Sequence, residues 1–203
     1  MAVLPSASEA TGAAASARPA TLAAVDAAVW LELHRATSDR AHGWRTPVLA
    51  TSADGWPDAR TVVLREVDRD ARRLSVYSDV RAAKVHQLQH SPAGMLVLWS
   101  AVLGWQLRCR VVATVHAGGL ASSSRWARVR LTPSAQDYLS PMPPGAELTD
   151  PPPLDGPRRS EPVDLGHFVV IEFDAVSWDW LELHPQGHRR ARFDADGSRW
   201  LQP

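Results

Sequence analysis

Arg60-Thr61-Val62-Val63-Leu64-Arg65 and, after one chain reversal, Tyr77-Ser78-Asp79-Val80-Arg81-Ala82-Ala83-Lys84 form the stretch on which the reading of this chain turns. The first run is apolar and β-branched, with an arginine at each end. A strand alternates its side chains, so Arg60, Val62 and Leu64 share one face and Thr61, Val63 and Arg65 the other. The two arginines therefore serve different places: one joins a phosphate site while the other reaches for a second anion. The second run passes from a strand into the first turn of a helix, with Asp79 available as its cap. Arg81 and Lys84, three apart, project from one side of that turn. Free N–H groups at a helix start and the positive end of the dipole favour an anion. Basic side chains are not what the dipole alone favours there, and a bound phosphate accounts for them.

Working outward, the spacing of Leu22, Val25, Val29, Trp30 and Leu33 predicts a helix over 21–41, with Thr21 as N-cap. Short β-rich runs follow at 46–51, 58–67 and 73–78, with reversals at 53–57 and 68–71. The helix over 79–90 is closed by Pro92, and strands are predicted at 94–100 and 103–116. In the second of these, Gln106, Arg108 and Arg110 face one way and Leu107, Cys109 and Val111 the other. Helical stretches are read at 120–131 and 134–139, then a proline-dense loop at 141–162, and strands at 166–174 and 176–183. A basic cluster at 188–192 and an Asp-Ala-Asp-Gly turn lead to Trp200. The order describes a mainly β fold with flanking helices (α+β). It fits a disordered tail over 1–20 and a single domain over 21–203.

Composition narrows the partners. The 203 residues carry 22 basic and 22 acidic side chains, so no global field draws in nucleic acid or an anionic membrane, and any anion site must be local. No window approaches the length of a membrane-crossing helix, and residues 1–20 lack a secretory pattern, so a cytoplasmic protein is expected. The single cysteine, Cys109, permits no intrachain disulfide. The histidines show no strong metal-ligand spacing, and His86 and His90, four apart, read as surface residues, so no metal is expected.

Taken with Tyr77-Ser78, Lys84 and the later Gln106, these motifs resemble the pyridoxamine 5'-phosphate oxidase superfamily, from about Trp44 to the C-terminus. Within it they look like the subgroup with an Asp-x-Arg-Ser-x-Lys motif, here with Ala82 in place of Ser. The resemblance implies a split β-barrel, FMN as cofactor, and a homodimer with FMN at the interface. Carried over by position, Arg60, Thr61, Tyr77, Ser78, Arg81 and Lys84 become FMN contacts, and Gln106 reaches the ring edge. A tryptophan and an arginine from the other subunit fall at Trp178 or Trp180, of which Trp180 is taken, and at Arg192. For a small-molecule substrate the implied positions are Arg65, Trp126, Arg130, Ser134 and Arg189. The oxidase has a tyrosine where Trp126 stands and an Arg-x-His pattern where this chain reads Arg189-Arg190-Ala191-Arg192. These departures speak against pyridoxamine phosphate oxidation itself. The expectation is an FMN-dependent oxidoreductase whose catalytic residues are not assigned, because the flavin carries the redox chemistry. The alternatives are a non-catalytic protein that binds or senses FMN or a related ligand, and a true pyridoxamine 5'-phosphate oxidase.

Overall fold

The computed structural model describes residues 18–148 and 166–203. Helix α1 (Leu22–Ser38) starts where Thr21 accepts the Ala24 N–H at 3.1 Å, and it buries Val25, Val29, Trp30 and Leu33. Nine strands form one sheet: β1 (Val48–Ala53), β2 (Trp56–Thr61), β3 (Leu64–Asp68), β4 (Arg73–Asp79), β5 (Ala93–Ser100), β6 (Trp105–His116), β7 (Phe168–Glu182), β8 (Arg189–Asp194) and β9 (Gly197–Leu201). Hydrogen bonding runs β2-β1-β5-β6-β7-β4-β3, with β8 and β9 branching from β7. All its strand pairs are antiparallel, the sheet is split rather than closed, and its inner face surrounds one large apolar core. Helix α2 (Ala83–His90) packs against β1 and β6. Helix α3 (Gly119–Val129) and a 3-10 segment, Pro133–Tyr138, cover the other side of β7, where Trp126, Tyr138 and Phe168 make a second cluster.

Three boundaries differ from the sequence expectation. The strand expected over 58–67 is broken at Val62 and Val63: the Val62 N–H still reaches the Pro47 carbonyl (2.9 Å), opposite it in the β1–β2 register, but Pro47 has no N–H to donate in return and the ladder ends there. Its halves pair with different strands, β2 with β1 and β3 with β4. The two strands expected over 166–174 and 176–183 are one. Arg110 of β6 faces Ser177 and Val111 faces Ala175, so Val176 is an extra, exposed residue. That bulge moves the inward positions from Val169, Ile171 and Phe173 to Trp178 and Trp180 without interrupting the strand. The helix expected from Asp79 begins at Ala83. Asp79 accepts the Arg81 N–H (2.8 Å) and caps the turn before the helix.

Residues 1–17 and 149–165 lie outside the described residues, and with them most of the expected tail and much of the proline-dense loop. Arg18 and Pro19, placed in that tail, are anchored. Arg18 pairs with the buried Glu182, and the Pro19 carbonyl accepts from Arg189 (2.7 Å).

Gly104 ends the β5–β6 turn at φ +66, with its carbonyl accepting the Leu183 N–H (2.7 Å). A Cβ there would stand 2.5 Å from the Leu183 carbonyl oxygen. Gly104→Ala therefore combines left-handed strain with a backbone clash. It is expected to cost at least about 1–3 kcal/mol, read as a lowered urea midpoint. An unchanged midpoint would show that the turn relaxes freely.

Candidate cofactor site

Alternation on β2 turns Arg60 inward, toward α2. Its guanidinium donates to Thr51 Oγ1 (2.6 Å) and Gln87 Oε1 (2.9 Å) and pairs with Asp58. Gln87 in turn donates to Asp58 (2.8 Å). Arg60 is thus held by partners on three elements. Lys84 lies one turn before Gln87 on the same helix. Its ammonium is half-buried and makes no hydrogen bond or ion pair with a described residue. Burial, then the nearby Arg60 guanidinium, push the ammonium below its ordinary pKa, against a smaller pull from Asp79. At the helix start, Ala82 occupies the N-cap and brings no side-chain acceptor. Open amides, one unpaired ammonium and one fixed guanidinium therefore stand at the same end of α2. This is the donor set that a phosphate group needs, and it fits FMN.

The other positions implied by the resemblance are distributed around this centre. Ser78 is buried at the end of β4, and its hydroxyl donates to the Asp79 carbonyl (3.2 Å). Arg81 turns away from Lys84. It pairs with Asp79 (2.7 Å) and donates to the carbonyls of Ser140 (2.8 Å) and Pro141 (3.1 Å), so it ties down the first residues of the proline-dense loop. Tyr77 faces α3. Its ring packs on Phe168 at 5.0 Å, its hydroxyl donates to Glu66 (2.9 Å), and burial followed by the Glu66 charge raises its pKa.

Thr61 and Gln106 lie on the outer face of the sheet. Paired positions there run Thr61, Val48, Val97, Arg108, Asp179, Arg192, one per strand from β2 to β8. Gln106 occupies the neighbouring row opposite Trp99. Trp99 is 46% exposed and Val48 37%, so this face combines uncovered apolar groups with polar ones. Arg192 pairs with Asp194 at 2.9 Å on the same face.

Trp178 and Trp180 both point into the barrel. Trp180 is fully buried edge-on to Trp105 (5.2 Å), and Arg72 covers Trp178 at 4.1 Å. Arg189 is committed to Glu182 (2.8 and 3.1 Å). Arg65 and Ser134 line one cavity. Trp126 is buried in the second cluster and Arg130 is exposed outside that lining. Cys109 is buried, and burial pushes its thiol up to about 12, which leaves no thiolate for chemistry. Sequence reasoning passed over Thr51, Asp58 and Gln87, which fix Arg60. Only Gln87 carried a signal, its three-residue spacing from Lys84.

Residues 27–117 match the family model described as pyridoxamine 5'-phosphate oxidase, FMN-binding domain. The fold is shared with a pyridoxamine 5'-phosphate oxidase-related, FMN binding protein from Nostoc punctiforme, at 23% identity and a TM-score of 0.65, covering 87% of this chain and 96% of that one. It is equally similar to PhzG from Burkholderia lata, solved with tetrahydrophenazine-1-carboxylic acid, at 19% identity and a TM-score of 0.65, with coverage of 87% and 90%. No curated protein matches the sequence. Over residues 27–117 the chain matches an FMN-binding domain of the pyridoxamine 5'-phosphate oxidase type, and its fold is the split barrel of these solved structures.

Proposed function

We propose that this chain is an FMN-dependent oxidoreductase that works as a homodimer on a small organic substrate. The observation that carries the reading is Lys84: a half-buried ammonium with no hydrogen bond or ion pair among the described residues, beside a fixed arginine and the uncapped start of α2. In this reading Arg60, Lys84 and the first-turn amides hold the FMN phosphate. Thr61 and Gln106 meet the cofactor on the outer face. Ser78, Arg81 and Tyr77 shape the turn into α2 and the segments beside it, and Trp180 supports the sheet from within. Bound FMN supplies the hydride or electron transfer, and the protein binds, orients and excludes water.

The dimer reading rests on the outer face of the sheet, where Thr61, Gln106 and Arg192 all lie. The exposed Val48 and Trp99 supply the apolar centre such an interface needs. Trp99→Glu is expected to shift the protein from dimer to monomer in sedimentation velocity and to weaken FMN retention with it. A dimeric variant with full flavin would place the interface elsewhere.

The direct test is purification followed by an absorbance spectrum and titration with FMN. A yellow protein taking up one FMN per chain, whose flavin is bleached anaerobically by NAD(P)H or a reduced organic substrate, supports the reading. A colourless protein that takes up no FMN refutes it, and bound flavin that no donor bleaches points to a binder without catalysis.

A further inference from the structure

Arg60 is the fixed cation beside α2, and its donors are already engaged. Nη1 donates to Thr51 Oγ1 (2.6 Å) and to the Leu49 carbonyl (3.4 Å), and Nη2 donates to Gln87 Oε1 (2.9 Å) and to the Asp58 carboxylate. All the terminal N–H groups of the guanidinium therefore have acceptors, and Nε alone has no partner among the described residues. A forked contact to phosphate needs two parallel N–H groups. Beside Nε, the second can come only from Nη2, once one of its acceptors has left.

These acceptors are not equally free to leave. The Leu49 carbonyl is backbone, directly opposite Arg60 in the β1–β2 register. Thr51 is buried, and its hydroxyl donates to Gln87 Oε1 (2.6 Å), so those two side chains hold each other and the guanidinium plane together. Asp58 differs from both. Its side chain is 43% exposed on β2, a strand at the end of the sheet, so it can turn out to water without unpacking the core. The Gln87 and Arg60 donors keep its carboxyl below the usual range, so it is an anion at neutral pH. An ion pair this open to solvent is held weakly.

Charge sets the direction of exchange. Asp58 brings one negative charge to Arg60, while the charges that act on Lys84 are Arg60, which repels it, and Asp79. A phosphate monoester brings about −1.5 to −2 at neutral pH. It can meet Arg60, Lys84 and the open amides of α2 at once, which the Asp58 carboxylate does not.

We propose that the two sides of Arg60 have opposite roles: Gln87 is the positioning residue that, with Thr51, aims the guanidinium, and Asp58 is an internal counter-anion that occupies its Nη2 until the cofactor phosphate takes its place. Asp58 thus competes with FMN and keeps Arg60 extended while the site is vacant. This deepens the function proposed above and rests on it.

The test is fluorescence titration of the FMN-free full chain with FMN at constant ionic strength. Asp58→Asn should tighten FMN at least about threefold, because asparagine keeps an acceptor for Arg60 but not the charge. Gln87→Leu should weaken it by at least about the same factor. In an Arg60→Gln background both effects should disappear, which a purely structural role of either residue would not produce. Weaker or unchanged FMN binding in Asp58→Asn overturns the proposal, as does an effect of either variant that persists in full without Arg60. A native chain that binds FMN with no gain in Asp58→Asn refutes the exchange alone. Native and Asp58→Asn chains that both take up no FMN refute the flavin reading and the exchange with it.

Discussion

Lys84→Ala is expected to reduce FMN affinity by roughly ten- to 150-fold while leaving the FMN-free protein as stable as before or slightly more so. The first half follows from the strength of a charge-assisted contact to phosphate, about 1.5–3 kcal/mol. The second follows from Lys84 being a half-buried cation beside another cation, with no bond to a described residue. Removing an uncompensated charge relieves desolvation and repulsion at once. A lysine whose role is structural gives the reverse pattern, with lower stability and unchanged cofactor affinity. FMN fluorescence titration and thermal denaturation of the FMN-free protein together separate the two. Because the ammonium is already pushed down in the free protein, phosphate binding should restore its proton at alkaline pH, with a matching uptake from buffer.

The second large effect concerns stability. Glu182 is 2% exposed and receives Arg189 (2.8 and 3.1 Å), Arg18 and the Trp105 indole N–H (3.3 Å). Truncating it leaves two guanidinium groups facing a hole. Glu182→Ala is expected to cost about 3–5 kcal/mol, or roughly 6 to 20 °C in Tm for a chain of this size. Burial alone would raise the carboxyl's pKa, but the donors Arg189 and Arg18 outweigh it and hold the group at about 2. A carboxylate depressed in the folded state contributes fully above its unfolded value, near 4.3. That contribution is lost as pH falls toward about 2. The stability gap between the native chain and Glu182→Gln should therefore be widest near neutrality and close between about pH 4 and 2. A gap independent of pH would assign the effect to packing.

Much of the architecture is legible in the sequence because it rests on local periodicity. The alternation of Gln106, Arg108 and Arg110 with Leu107, Cys109 and Val111 survives intact in β6. The parity argument that sends Arg60 and Arg65 to opposite sides holds even though the strand between them breaks. The break itself is invisible locally, since it falls where Pro47 on the facing strand, which has no N–H to donate, stands opposite Val62. The bulge at Val176 is likewise set by the partner strand, so it looks in sequence like a gap between two strands. At the site, Lys84 stands out because a cation at a helix start runs against the dipole. Thr51 and Asp58 carry no such sign. They lie on two short strands, and only tertiary packing brings Gln87 to them. Arg81 had the right spacing, but its direction is fixed by carbonyls some 60 residues away.

Strand β7 joins the two halves of the sheet. On one side it pairs with β6, and so with β5, β1 and β2; on the other it pairs with β4 and β3. Its alternate side chains serve both hydrophobic clusters. During synthesis β6 and β4 are complete long before Phe168 leaves the ribosome, and until then each presents an unpaired strand edge. The nascent chain must therefore carry two open ladders through the making of α3 and the proline-dense loop, and it closes both with one late strand. Vectorial synthesis makes this late strand the step that commits the rest to a single cooperative unit.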